Sequence, residues 1–442
     1  METPAGRRRR PEAGDDWGEA GTRDKSPGCS CHASVLVALC DPGAPLGDLC
    51  NESLFRDTSR MTSFGAVSVE RWIVIVAVVV GLAATPGSVT DDQAAPGSPR
   101  MVKGGDDRNG AYDAVPNWWK PAPEHDSVWT WGEVSGLAAD TPDRIIVAVW
   151  GDRNRQNQER PNGTNYLVVV NRNGEIIERW QQWDAILNKP HQVYISPYDP
   201  ARHVWIVERG GGRNVPMSVL KFTNDGKQLV MRLGDGGDPR NRAEARANPK
   251  PGPFDYGDPA CLTFLPDGSF LLADGYWNSR IVKYNAKGEY VTEWGALGRG
   301  PGQFDLVHGV AVDRARRVYV ADRTNNRIQV FTETGNFVEE WPDVTDPVGI
   351  YIDEHEGVWV VSAALNRILK YNRDGVLQYH WGAYGGTRGG FAGGLSRPHQ
   401  LDVDQDGNVY VASWDGGWVT KYIPKPGADA GRLIGRKLVL PR

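Results

Sequence analysis

From residue 127 onward, apolar and polar positions alternate in short runs, the period-two signature of half-buried strands. One run recurs six times: Ser135–Asp140, His191–Ser196, Ala260–Leu265, His308–Asp313, Val348–Asp353 and His399–Asp404. A second run follows each of them: Ile145–Trp150, Val204–Arg209, Phe270–Gly275, Val318–Arg323, Val358–Ala363 and Val409–Trp414. Third strands read from 280–284, 327–331, 367–371 and 418–422. Pairs such as Asp225-Gly226, Lys287-Gly288 and Asp374-Gly375 suit the tight turns into fourth strands. Those strands end in Trp-Gly (Trp294-Gly295, Trp381-Gly382) or in a bare Trp180 or Trp341.

Six matched units of four antiparallel strands predict an all-β fold, a six-bladed β-propeller. A ring of blades leaves only short edges, which suits a soluble monomer. Closing it takes a strand from one terminus; Ser127–Trp131 and Leu433–Leu440 are the two candidates. Composition agrees, with Gly 53, Trp 17 and Tyr 15. The net charge of −5 supplies no basic field, so no nucleic-acid partner is expected.

The N-terminal part reads differently. Arg71 precedes an apolar run, Trp72–Ala84, and small residues follow to Gly87. Residues 61–87 therefore predict a signal peptide, with an uncleaved N-terminal anchor as the alternative. The expected location is secreted, or periplasmic and cell-envelope; a membrane partner follows only if the segment stays uncleaved. Residues 1–60 have no periodicity and read as a disordered leader or an untranslated stretch. Residues 88–126 are rich in Pro, Gly and Asp and read as a flexible linker, leaving 127–442 for the propeller. Cys29, Cys31, Cys40 and Cys50 fall in the leader, so Cys261 is alone in the exported part and no internal disulfide is expected.

The innermost strand of each blade lines the central channel, and one register of it repeats around the axis. At that register stand Ser135, His191, Ala260, His308, Val348 and His399. Histidine occupies alternate blades, about 120° apart in a six-fold ring. One such histidine alone reads as a hydrogen-bonded pore residue, but three at one height can converge on one ion. Three imidazoles with an open position suit catalytic zinc, and iron, copper and nickel also take imidazole. His32 and His125 lie in the leader and linker, and His203, His355 and His380 fall on turns or outer strands, where solvated surface is expected.

Certain segments resemble the peptidyl-α-hydroxyglycine α-amidating lyase family within the wider NHL-repeat propellers. They are Asp274-Gly-Tyr-Trp-Asn-Ser-Arg-Ile-Val-Lys-Tyr284, Gly302-Gln-Phe304, His308 and Ala321-Asp-Arg-Thr-Asn-Asn-Arg-Ile-Gln329. Gly132–Leu137, Pro190-His191 and Pro398-His399 extend the likeness over residues 130–424. The resemblance implies cleavage of an α-hydroxylated amide C–N bond to an amide and glyoxylate. It implies zinc on His191, His308 and His399, Tyr276 as the catalytic base, and Arg323 at the channel mouth to meet a carboxylate. Three departures stand out. Trp150 occupies the place of a family arginine, for which Arg153 or Arg155 could substitute; Trp277 replaces a cysteine beside the tyrosine; and Gln400 replaces an aspartate that helps hold Ca2+, which argues against calcium here.

Two functions compete. The first is a metal-dependent lyase acting on a small-molecule or peptide substrate. The second is a non-catalytic NHL propeller that binds a protein or glycan partner on its face at the cell surface. The triad and Tyr276 favour the lyase, and the missing arginine favours binding. Arg280, Arg327 and Arg367 precede third strands and read as braces between blades. Lactone or ester hydrolysis on a channel calcium ranks last, because this register lacks acidic and amide ligands.

Overall fold

The computed structural model describes residues 108–441, apart from 155, 211–214, 387–390 and most of 235–251. The expected leader, the signal segment and the first part of the expected linker, 88–107, lie outside the described residues, as does Arg155.

Six four-stranded antiparallel sheets form the blades. Their inner strands are Val134–Thr141, Pro190–Ile195, Cys261–Phe264, Val307–Val312, Pro347–Ile352 and Pro398–Val403, for blades one to six. Second strands such as Arg144–Val149 and Val358–Ser362 are rich in β-branched residues, buried on both faces because blades pack on either side. Each fully buried Val or Ile contributes roughly 1.5–3 kcal/mol relative to exposure. Fourth-strand tryptophans lock neighbouring blades together. Trp180 lies over Gly226 and Trp341 over Gly375 in the next blade, where any Cβ would fall within 2.4 Å of the indole.

Ring closure differs from both expectations. Tyr112–Ala114 pairs with Trp418–Pro424 and becomes the fourth strand of blade six. Tyr112 is fully buried against Trp381 and Tyr422, and that burial makes a three-residue strand hold where no periodicity could mark it. The linker reading is therefore corrected for residues 108–126, which pack on the ring. His125, read as part of the linker, has its side chain buried there: its Nε2 donates to Asp152 at 3.0 Å and its Nδ1 accepts from Ala122 N–H. His380, expected on the surface, is buried in the outer strand Leu377–Trp381.

The two closure candidates have other work. Trp129–Trp131 pairs with Asp152–Asn154 in a separate ribbon. Residues 433–440 run over the far ends of the inner strands, where Leu438 N–H bonds to Ile352 O and Leu440 N–H to Tyr198 Oη. Lys437 and Leu438 thereby line a small cavity at that end of the channel. Among the described residues no helix is long and apolar enough to cross a membrane.

Candidate metal centre and channel mouth

The channel register is built by a repeated backbone irregularity. In five blades the inner strand slips by one residue at this position: at Ser135, His191, His308, Val348 and His399. A bulge frees the residue from the ladder and re-aims its side chain. The three histidines therefore turn inward, and all are buried.

Their outer nitrogens are held in one pattern. His191 Nδ1 lies 2.6 Å from Ala260 O, His308 Nδ1 2.6 Å from Val348 O, and His399 Nδ1 2.6 Å from Ser135 O. A carbonyl can only accept, so each Nδ1 carries the proton and each Nε2 keeps its lone pair. Every carbonyl belongs to the register residue of the next blade. The positions without histidine thus orient the imidazoles of their neighbours, the arrangement metal-ligating histidines require.

The ligand atoms of the three lie within 4.8 Å of one another. Burial is the first cause that pushes all three imidazoles down: His191 and His308 well below the usual range and His399 to about 3. Mutual repulsion and the charges of Arg209 and Arg323 add to this. Three neutral, pre-aimed Nε2 atoms on one axis fit a transition metal with an open coordination position.

Tyr276 caps this axis from the mouth. Its hydroxyl donates to His308 Nε2 at 2.8 Å and stands 3.4 Å from His191 Nε2. The loop that carries it is anchored by buried Asp274, which accepts from Gly257 N–H, Asn278 Nδ2 and Arg280 Nε. At Gly275 a Cβ would lie 1.7 Å from Val307 O, so only glycine lets the loop cross the start of the blade-four inner strand. Burial raises the Tyr276 phenol, and the guanidinium groups of Arg209 and Arg323 pull it back down.

The structure thus brings together His191, His308, His399, Tyr276 and Arg323. Arg323 ion-pairs with Asp346 at 2.6 Å and points Nη1 at Tyr276 Oη, 3.5 Å away. Arg153 does not touch the triad: it sits beside Glu133 at 3.3 Å in the Asp152–Asn154 strand, while its charge still reaches Lys189 at the mouth. Arg209, at the register of Arg323 in blade two, joins the site. Its guanidinium lies 4.2 Å from the Tyr276 ring centre and pairs with Asp258 through two nitrogens. Gln400 ties blades six, one and two: Oε1 accepts from Leu137 and Val193 N–H at 3.0 and 3.2 Å, and Nε2 donates to Val193 O at 2.8 Å. Arg280 and Arg327 pair with Asp274 and Glu293 and with Asp322 and Glu340 in their own blades, and they also donate to carbonyls of the connection from the preceding blade, Gly252 and Asp255 for Arg280 and Arg299, Gly300 and Gln303 for Arg327.

Comparison with known proteins agrees with this architecture. The NHL repeat matches residues 304–331, which span the inner, second and most of the third strand of blade four. The chain is a six-bladed β-propeller that carries an NHL repeat in blade four. Mouse NHL repeat-containing protein 3 is similar to this propeller at 29% identity, over 59% of the chain and 77% of the relative. A probable peptidyl-alpha-hydroxyglycine alpha-amidating lyase of Caenorhabditis elegans is 25% identical over 64% of the chain and 79% of its own length. Peptidyl-glycine alpha-amidating monooxygenase A of Xenopus laevis is 27% identical over 66% of the chain, which spans only 32% of that protein.

Proposed function

We propose that this NHL propeller is a metal-dependent lyase that cleaves an α-hydroxylated amide C–N bond, releasing a primary amide and a glyoxylate-like aldehyde acid. The observation that carries the reading is the Tyr276 hydroxyl set against the three convergent Nε2 atoms. Relatives named as amidating lyases support it.

Zinc on His191, His308 and His399 would supply a Lewis acid that acidifies the substrate hydroxyl. The chain does the rest. Tyr276 takes the hydroxyl proton, the C–O bond gains double-bond character and the C–N bond breaks. The departing nitrogen regains a proton from the same phenol and leaves as the amide. Arg209 and Arg323 favour the phenolate by charge, offsetting its burial. We also propose export, directed by the segment at 61–87.

The test is elemental mass spectrometry of the purified full chain, beside an assay of glyoxylate released from an α-hydroxyglycine peptide. About one zinc per chain with turnover is expected, and Tyr276→Phe should keep the metal while kcat falls about 10²–10⁴-fold. No bound transition metal and no turnover would leave the second reading, a binding propeller. Trp150 in place of an arginine, and Arg153 held by Glu133, are the observations that favour it.

A further inference from the structure

The positive charges at the channel mouth fall into two kinds. Arg209 and Arg323 are committed to Asp258 and Asp346. Lys189 and Arg397 are not: neither head group pairs with a carboxylate among the described residues. The two occupy matching places, in Lys189-Pro190-His191 and Arg397-Pro398-His399, two residues before a channel histidine.

Both are mounted on tryptophan. Lys189 Nζ lies 5.2 Å from the Trp150 ring centre, and the Arg397 guanidinium lies 5.4 Å from that of Trp414. The two indoles meet edge to face, 5.9 Å apart. Trp150 is itself fixed, since its Nε1 donates to Pro190 O at 3.1 Å. The backbones are also pinned: Lys189 N–H donates to Glu208 and Arg397 N–H to Asn366 Oδ1, both at 2.8 Å. Arg397 is held at φ 49, a conformation a non-glycine residue adopts only when its surroundings impose it.

Two cations on rigid aromatic platforms, with no ion-pair partner of their own among the described residues, focus an anion. We propose that Lys189 and Arg397 form a carboxylate-binding subsite at the channel mouth, on the side of blades six, one and two, and that the substrates are therefore small acids. The subsite fills the place left where Trp150 stands instead of an arginine. It rests on the lyase reading for the identity of the substrate, though not for its charge.

The experiment uses the full chain and two probes that cannot turn over: N-benzoylglycine, which carries a carboxylate, and its neutral amide. Binding is read by calorimetry and by tryptophan fluorescence, on wild type, Arg397→Gln, Lys189→Gln, the double variant and Arg397→Lys. The acid should bind wild type and lose at least about tenfold in affinity in the double variant, the usual loss for a charged hydrogen bond. Arg397→Lys should recover part of it, added salt should weaken it, and the amide should bind all forms equally weakly. Metal content should be the same throughout, which shows that the variants fold.

Equal affinity of the acid for wild type and the double variant overturns the proposal, as does failure of wild type to bind the acid. Acid-selective binding without glyoxylate release from a hydroxyglycine peptide would keep the subsite and remove only the lyase reading.

Discussion

Blades two, four and six differ from blades one, three and five at a single register of the inner strand. The even blades present His191, His308 and His399 to the axis; the odd blades present Ser135, Ala260 and Val348. The backbone slips at this position in all even blades and in blades one and five, so the bulge by itself does not distinguish the sets. The chemistry does. Even blades contribute a side chain, and odd blades a main-chain carbonyl that holds the neighbour's Nδ1 at 2.6 Å. A six-fold repeat has thereby become a three-fold cluster in which imidazoles and the carbonyls that hold them alternate. Even blades should accordingly be sensitive to side-chain identity, and odd blades only to backbone position.

The largest expected effect is at an even blade. His308→Ala removes one proposed ligand and the acceptor of the Tyr276 hydroxyl, so metal affinity should fall at least about 100-fold, the upper end for losing a mere outer-shell partner. Elemental analysis after dialysis checks this, and a variant that keeps stoichiometric metal would break the comparison.

Next comes the backbone of an odd blade. A Cβ at Gly136 would lie 2.6 Å from Gln192 Cα and 2.7 Å from Gln400 Oε1. Gly136→Ala should displace the Ser135 carbonyl beneath His399, costing about 1–3 kcal/mol of stability and roughly 10-fold or more in metal affinity. Thermal melts with and without metal would separate the two losses.

A third test uses pH on chelated protein. The triad imidazoles stay neutral in the fold well below the pH at which unfolded histidine protonates, near 6.5. Below that pH the unfolded chain binds protons that the native chain does not, so stability falls as pH drops from 6.5 toward the folded value. With three such groups the slope approaches roughly 4 kcal/mol per pH unit. Urea midpoints at pH 7 and pH 5.5 measure it; a flat profile would mean that the imidazoles take up protons within the fold.

The smallest effect is expected at an odd side chain. Val348→Ala keeps the carbonyl that holds His308, so the variant should lose about 1.5 kcal/mol of stability and no metal. Loss of metal there would show that odd side chains matter beyond their backbone.

Much of this molecule was legible from sequence, because a propeller repeats. Six copies of one strand pattern specify the blades, and their alignment places three histidines at one height without any coordinates. The Asp274-Gly275-Tyr276 loop stood out through its resemblance to the amidating lyases alone, and the backbone crossing that requires Gly275 became visible only in the fold.

Features without period stayed hidden. Ring closure by Tyr112–Ala114 depends on burial of one tyrosine against blade six, and three residues are too few to show alternation. The fate of the arginines was equally invisible: Arg153 lies with Glu133, Arg209 with Asp258 and Arg323 with Asp346, partners as far as 49 positions away along the chain. Residue identity and local period determined the blades and the register of the triad, because strand pairing and side-chain alternation act over a few neighbours. Only the closed ring decided which nitrogen of each imidazole faces the axis, because the carbonyl that sets it comes from the next blade, as far as 264 positions away for His399 and Ser135.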